Sequence, residues 1–114
     1  MHELSIVMSI VELASAQAAK HDASVIEEIE LDIGCLSGIE MDSFDFAWKQ
    51  AVKRTLLENA HRKVNRITGR ATCLDCGAGF TMEHLYDGCP VCGSHLCQVM
   101  SGKELRLRSL VLPD

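Results

Sequence analysis

Apolar residues recur at helical spacing over residues 4–20. Leu4, Val7, Val11, Ala14 and Ala18 form a stripe, Ile10 and Leu13 widen it, and Glu12, Gln17 and Lys20 fall opposite. This predicts an amphipathic helix ended by His21-Asp22. Over residues 25–33 the period changes to two. Ile29, Leu31 and Ile33 alternate with Glu28, Glu30 and Asp32, which predicts a strand with one buried face and an acidic face in solvent. Gly34 and Gly38 frame a loop holding Cys35. A second helix is predicted from Asp42 as N-cap, with Asp45 in its first turn. Its stripe is Phe44, Ala47, Trp48, Ala51, Val52, Thr55 and Leu56. The only Trp and two of the three Phe lie here, so this helix is expected to anchor the core. Residues 63–72 read as one strand, although Val64 and Ile67 break strict alternation. Residues 103–112 read as a last strand, with a phase slip at Ser109 that points to a bulge.

The order is helix, strand, helix, strand, a cysteine-bearing segment, strand. That is an α+β arrangement interrupted by a module. The expected division is residues 1–69 plus 101–114 for the α+β domain and 70–100 for the module. With 114 residues in all, each part is near the lower size limit for folding alone. An apolar share of 47% excludes a disordered chain. No apolar run approaches the roughly 18 residues that span a bilayer. The opening Met1-His2-Glu3-Leu4 carries an acid and no basic stretch, unlike an export signal, so a cytoplasmic location is expected. The net charge of −5 argues against duplex nucleic acid as partner.

The six cysteines are the unusual feature of the composition. Cys73-Leu-Asp-Cys76 and Cys89-Pro-Val-Cys92 are two C-x2-C pairs separated by twelve residues. Such a turn puts two sulfurs on one side of a tight loop, with backbone N–H groups aimed at them. Two turns facing each other make a tetrahedral four-sulfur cage, the ligand set of structural Zn(II). Gly77 and Gly93 follow the pairs, as expected where the turn needs positive φ and close backbone approach. Iron in a rubredoxin-like site uses the same ligands and is the minor reading, since only Phe80 and Tyr86 supply aromatic packing nearby. Disulfides suit exported chains, and a redox dithiol usually has a single C-x2-C pair. With no open position the site is structural, not catalytic. Four thiolates around Zn(II) move the formal charge from −5 to about −7. Cys35 and Cys97 are read as small buried packing residues. His84 and His95 are read as exposed, with His95 near enough to Cys92 to serve it.

The N-terminus is the second feature. A histidine near a terminus is usually idle. Here, however, the α-amine, the backbone amide nitrogens and the His2 imidazole can close fused chelate rings around one ion. Deprotonated amides favour square-planar Ni(II) or Cu(II). Bulky His2 is expected to keep Met1 in place. Glu3 can add a carboxylate, or stabilise the start of the first helix.

Met1-His2-Glu3-Leu4-Ser5, the Gly34-to-Gly38 loop, the paired C-x2-C motifs and Ser-Gly-Lys-Glu-Leu at 101–105 together resemble the HypA/HybF family of hydrogenase nickel-incorporation proteins. The resemblance covers the whole chain. It implies two helices packed on a small three-stranded mixed sheet, with a zinc-ribbon-like module inserted before the last strand. It also implies a nickel metallochaperone and not an enzyme. Met1, His2 and Glu3 would hold Ni(II) as cargo, and Cys73, Cys76, Cys89 and Cys92 would hold structural Zn(II). The implied partners are a HypB-type GTPase and the [NiFe]-hydrogenase large subunit, in some organisms with urease as a further client. The chain could be a monomer or a homodimer. Some family members carry His directly after each C-x2-C, linked to acid-sensitive zinc ligation. Gly77 and Gly93 stand there in this chain, so an acid switch is not implied.

The competing reading is a zinc-ribbon adaptor for protein partners, without nickel transfer. Between Cys73 and Cys92 there is no Lys or Arg, while Asp75, Glu83 and Asp87 are acidic, which disfavours nucleic acid. An enzyme comes third. The chain has no defensible Ser-His-Asp set and no glycine-rich phosphate loop.

Overall fold

The computed structural model describes residues 3–114. Among them are two helices and six strands: α1 (Glu3–Ala19), β1 (Glu28–Gly34), α2 (Met41–Ala51), β2 (His61–Ile67), β3 (Arg70–Cys73), β4 (Gly79–Thr81), β5 (Cys97–Ser101) and β6 (Leu105–Val111). The strands form two three-stranded sheets, ordered β2-β1-β6 and β4-β3-β5. The chain divides into two compact units. One contains the residues up to Leu31, Ile39–Val64 and Arg106–Asp114. The other contains Asp32–Gly38 and Asn65–Leu105.

In the first unit α1 packs against α2. The face that α1 buries is Glu3, Val7, Ile10, Ala14 and Ala18. Leu4 and Leu13, expected on the stripe, are nearly half exposed. The apolar arc of this helix is wide, so burial settles on the side where Ala14 and Ala18 allow close packing. Phe44 and Trp48 are buried and stack, with ring centroids 6.0 Å apart. The Arg62 guanidinium lies 5.5 Å from the Phe44 ring centre and 5.2 Å from that of Trp48, and its Nη2 pairs with Asp45 at 2.6 Å. Phe46, in contrast, is 68% exposed.

The N-cap of α2 is Glu40, not Asp42. Its carboxylate accepts from the Asp42 and Ser43 N–H groups at 3.1 and 2.9 Å. Those two bonds, that of Ser43 foremost, hold the Glu40 carboxyl below its ordinary range. Glu caps rarely, and here its longer side chain does what Asp or Ser usually does. The helix stops at Ala51, and Arg54 then takes a left-handed φ of 63°. The turn carries Leu57, not Leu56, into the core.

The acidic face expected on β1 is largely covered. β1 is the central strand, so its side chains meet neighbours on both flanks. Glu30 lies 3.9 Å from Lys63 and 3.8 Å from Arg108, and Ser109 donates to it at 3.1 Å. Asp32 is fully buried and accepts from Asn65 Nδ2 at 2.9 Å. Only Glu28 stays exposed. In β6 the inward positions are Leu107 and Leu110, three apart, so the phase does slip as the pattern indicated.

The single strand expected over 63–72 is two strands, β2 and β3, broken at Thr68-Gly69. In the second unit β3 pairs antiparallel with both β4 and β5. Its core is Leu36, Ala71, Cys73, Phe80, Met82 and Cys89. Strands β4 and β5 escaped the sequence pattern because three and five residues are too short to show an alternation.

Candidate metal centre

Cys73 is the last residue of β3, and Cys76 follows in the turn that leads to β4. Cys89 and Cys92 lie in the loop between β4 and β5. The two turns are built alike. The Gly77 N–H bonds to Cys73 O at 2.9 Å, and the Gly93 N–H to Cys89 O at 2.8 Å. The Cys73 N–H bonds to Ala78 O, and the Cys89 N–H to Ser94 O, both at 2.8 Å. Gly77 and Gly93 share a φ of +78°, the left-handed region that glycine enters most easily. The close backbone approach also expected there is absent, since a Cβ on either would meet nothing within 4 Å. A bond absent from the sequence pattern ties the turns together: the Ser94 hydroxyl donates to the Asp75 carboxylate.

This geometry brings all four predicted sulfurs together. One donor atom from each of Cys73, Cys76, Cys89 and Cys92 lies within 4.8 Å of the others. Cys73 and Cys92 sulfurs are 3.6 Å apart, and those of Cys76 and Cys89 are 3.7 Å apart. A tetrahedron with Zn–S bonds of about 2.3 Å has edges of about 3.8 Å. Those two edges match this length, and the donor set suits a tetrahedral ion. Cys73 and Cys89 are buried in the core of the unit, while Cys76 and Cys92 face outward.

Backbone N–H groups point at the sulfurs. The Cys76 N–H reaches Cys73 Sγ at 3.4 Å, and the Val91 N–H reaches Cys89 Sγ at 3.4 Å. The Cys76 N–H is the main reason the Cys73 thiol is lowered to about 7. The Cys89 thiol is lowered too, chiefly by the Cys92 N–H. Cys76 and Cys92 go the other way. At Cys76 the Ala78 N–H pulls down, but burial and the facing Cys89 sulfur outweigh it. At Cys92 the Ser94 N–H pulls down, but the Cys73 thiolate and burial push the thiol up to about 12. Within each close pair the buried cysteine therefore gives up its proton before the outward one.

Binding of an ion above pH 7, where the Cys73 thiol has largely given up its proton, is expected to release fewer than four protons. Below pH 7 Cys73 also carries a proton, so release rises and affinity falls more steeply. Calorimetry in two buffers of different ionisation enthalpy measures the number. Release of four protons at pH 8 would contradict the lowered Cys73 thiol.

Of the proposed N-terminal ligands, Met1 and His2 lie outside the described residues. Glu3 is buried in the first turn of α1, and its Oε2 accepts the Glu40 N–H at 3.1 Å. The two remaining cysteines are not the buried residues expected. Cys35 is exposed and Cys97 half-buried. His84 stacks on Tyr86 and lies 3.6 Å from Asp87. His95 is exposed, beside Gly88.

A helix-and-sheet unit and a unit of paired cysteine turns define a small metal-binding protein. Residues 1–112 match the family described as "Hydrogenase/urease nickel incorporation, metallochaperone, hypA". The chain belongs to this HypA family of nickel-incorporation metallochaperones that act in hydrogenase maturation. It is 48% identical over 112 residues to the hydrogenase maturation factor HypA of Parabacteroides distasonis, covering 98% of this chain and 97% of that protein. Identity to the HypA of Prosthecochloris aestuarii is 39%, over 98% of this chain and 99% of that protein. The solution structure of the Ni metallochaperone HypA from Helicobacter pylori superimposes with a TM-score of 0.68 at 29% identity, covering 98% of this chain and 97% of that one. Among the described residues no helix is long and apolar enough to cross a membrane.

Proposed function

We propose that this chain carries Ni(II) at Met1, His2 and Glu3 and delivers it for [NiFe]-hydrogenase maturation, while Zn(II) resides at Cys73, Cys76, Cys89 and Cys92. The observation that carries the reading is family membership across residues 1–112, which includes the Met-His-Glu start. The α-amine, amide nitrogens and imidazole supply a nitrogen-rich set suited to square-planar Ni(II). Glu3 is held at the start of α1 by the Glu40 N–H, which fixes where its carboxylate stands. A carrier has to release its ion. Below about pH 6.5 the imidazole protonates and the nickel site weakens. The zinc site has no such donor, and its four sulfurs hold the 70–100 segment together. The chain works in the cytoplasm as a carrier and not as an enzyme. Its delivery partners are a HypB-type GTPase and the hydrogenase large subunit, with urease as a second client.

The test is calorimetric titration of the untagged chain with Ni(II). His2→Ala is expected to abolish nickel binding while zinc content and circular dichroism stay unchanged. An N-terminal tag should act in the same way, because it removes the free amine. Stoichiometric nickel uptake by His2→Ala would overturn the assignment.

A further inference from the structure

A fifth sulfur stands beside the four-sulfur centre. Strands β3 and β5 run antiparallel with Cys73 directly opposite Cys97. The Leu74 N–H bonds across to Leu96 O at 2.8 Å, whereas the Cys73 N–H turns the other way, to Ala78 O at 2.8 Å. Cys73 and Cys97 are therefore a non-hydrogen-bonded cross-strand pair. In such pairs the Cα atoms are about 4.5 Å apart and the side chains share one face. Cys97 also packs against the cluster that contains Cys73 and Cys89. Its thiol donates to Ser94 O at 3.6 Å, in the second cysteine turn. Cys97 thus touches both halves of the centre without belonging to the group of four.

We propose that Cys97 is a reserve ligand of the metal centre, able to take the place of Cys73 on the ion. This rests on the reading that the four cysteines hold a metal. The exchange needs no oxidant. The bond from the metal to Cys73 Sγ breaks, a bond to Cys97 Sγ forms, and the Cys97 thiol proton passes to the freed Cys73 thiolate. Cys89, the other buried ligand, has no cysteine opposite it in the β4-β3-β5 register. A centre built in this way can lose its Cys73 bond and still keep its ion.

Co(II) is the probe, because its thiolate charge-transfer intensity counts the bound sulfurs and its visible bands report tetrahedral geometry. Four chains are compared: wild type, Cys73→Ser, Cys73→Ser/Cys97→Ser and Cys89→Ser. Cys73→Ser is expected to keep the full wild-type intensity per bound cobalt. The double variant and Cys89→Ser are expected to fall to about three-quarters of it, three sulfurs replacing four. Peptide mapping after alkylation should find Cys97 protected in cobalt-loaded Cys73→Ser. Cys73 and Cys89 share one core, so a general folding loss would strike both single variants alike. Equal behaviour of these two variants, whether both lose cobalt or both keep equal intensity, would overturn the proposal. A wild-type chain that takes up no cobalt would overturn the metal centre itself.

Discussion

Gly34→Ala is expected to lower the thermal midpoint of the chain by on the order of 15 °C. A Cβ at Gly34 would stand 1.9 Å from Gly102 O, 2.2 Å from Gly102 C and 2.8 Å from the Glu104 N. All three are backbone atoms, so no side chain can swing aside. The same backbones are tied by hydrogen bonds. The Gly34 N–H reaches Glu104 O at 2.7 Å, and the Leu36 N–H reaches Gly102 O at 2.7 Å. Relief of the clash requires breaking these bonds, and the cost belongs to the upper tail of single substitutions, about 4 kcal/mol. Gly102 is confined too, though less severely, since a Cβ there would lie 2.7 Å from Gly69 Cα. Gly38→Ala is the control. Gly38 has a φ of +82° but open space around it, so only backbone strain of about 1 kcal/mol is expected. Circular dichroism melts of the two variants separate the causes. A Gly34→Ala midpoint equal to that of Gly38→Ala would disprove the close contact.

That contact gives a physical reason for two motifs that carried the family resemblance, the Gly34 loop and Ser-Gly-Lys-Glu-Leu at 101–105. They are far apart in the chain and press backbone on backbone in the fold. Nothing in a single sequence displays such a meeting. Features that repeat locally were legible: α1 and α2 from helical spacing, β1 and β6 from alternation, and the cysteine cage from two short intervals. Features that depend on who lies opposite were not. Asp32 looked solvated because its partner Asn65 is 33 residues away, on β2. The strand over 63–72 breaks at Gly69, where a Cβ would sit 2.2 Å from Met82 O, a contact made by a different strand end. Cys97 read as a packing residue because its register against Cys73 exists only once β3 and β5 pair. The Glu40 cap was hidden for a different reason, since Glu is a poor general predictor of helix starts.

Removal of the metal is expected to abolish the order of the β4-β3-β5 sheet and to leave the core of α1 and α2 in place. The strands of that sheet have, in that order, three, four and five residues. Its core has six residues, and two of these, Cys73 and Cys89, are themselves proposed ligands. The bulky members are Leu36, Phe80 and Met82, each contributing about 2 kcal/mol on burial. A structural Zn(II) contributes about 10 kcal/mol or more at neutral pH, more than those three together. With the proposed ion bound, a unit of this size would take its stability mainly from it. The first unit has a core of its own, with Val7, Ile10, Ala14, Ala18, Phe44 and Trp48 buried. Hydrogen exchange with and without a strong chelator reads the two units apart. The Cys73 N–H, bonded to Ala78 O, and the Met82 N–H, bonded to Gly69 O, both at 2.8 Å, should lose protection on chelation. The amides of α1 should keep theirs. Survival of protection at Cys73 and Met82 in metal-free protein would mean that the short strands hold without an ion, and the four sulfurs would then need another role.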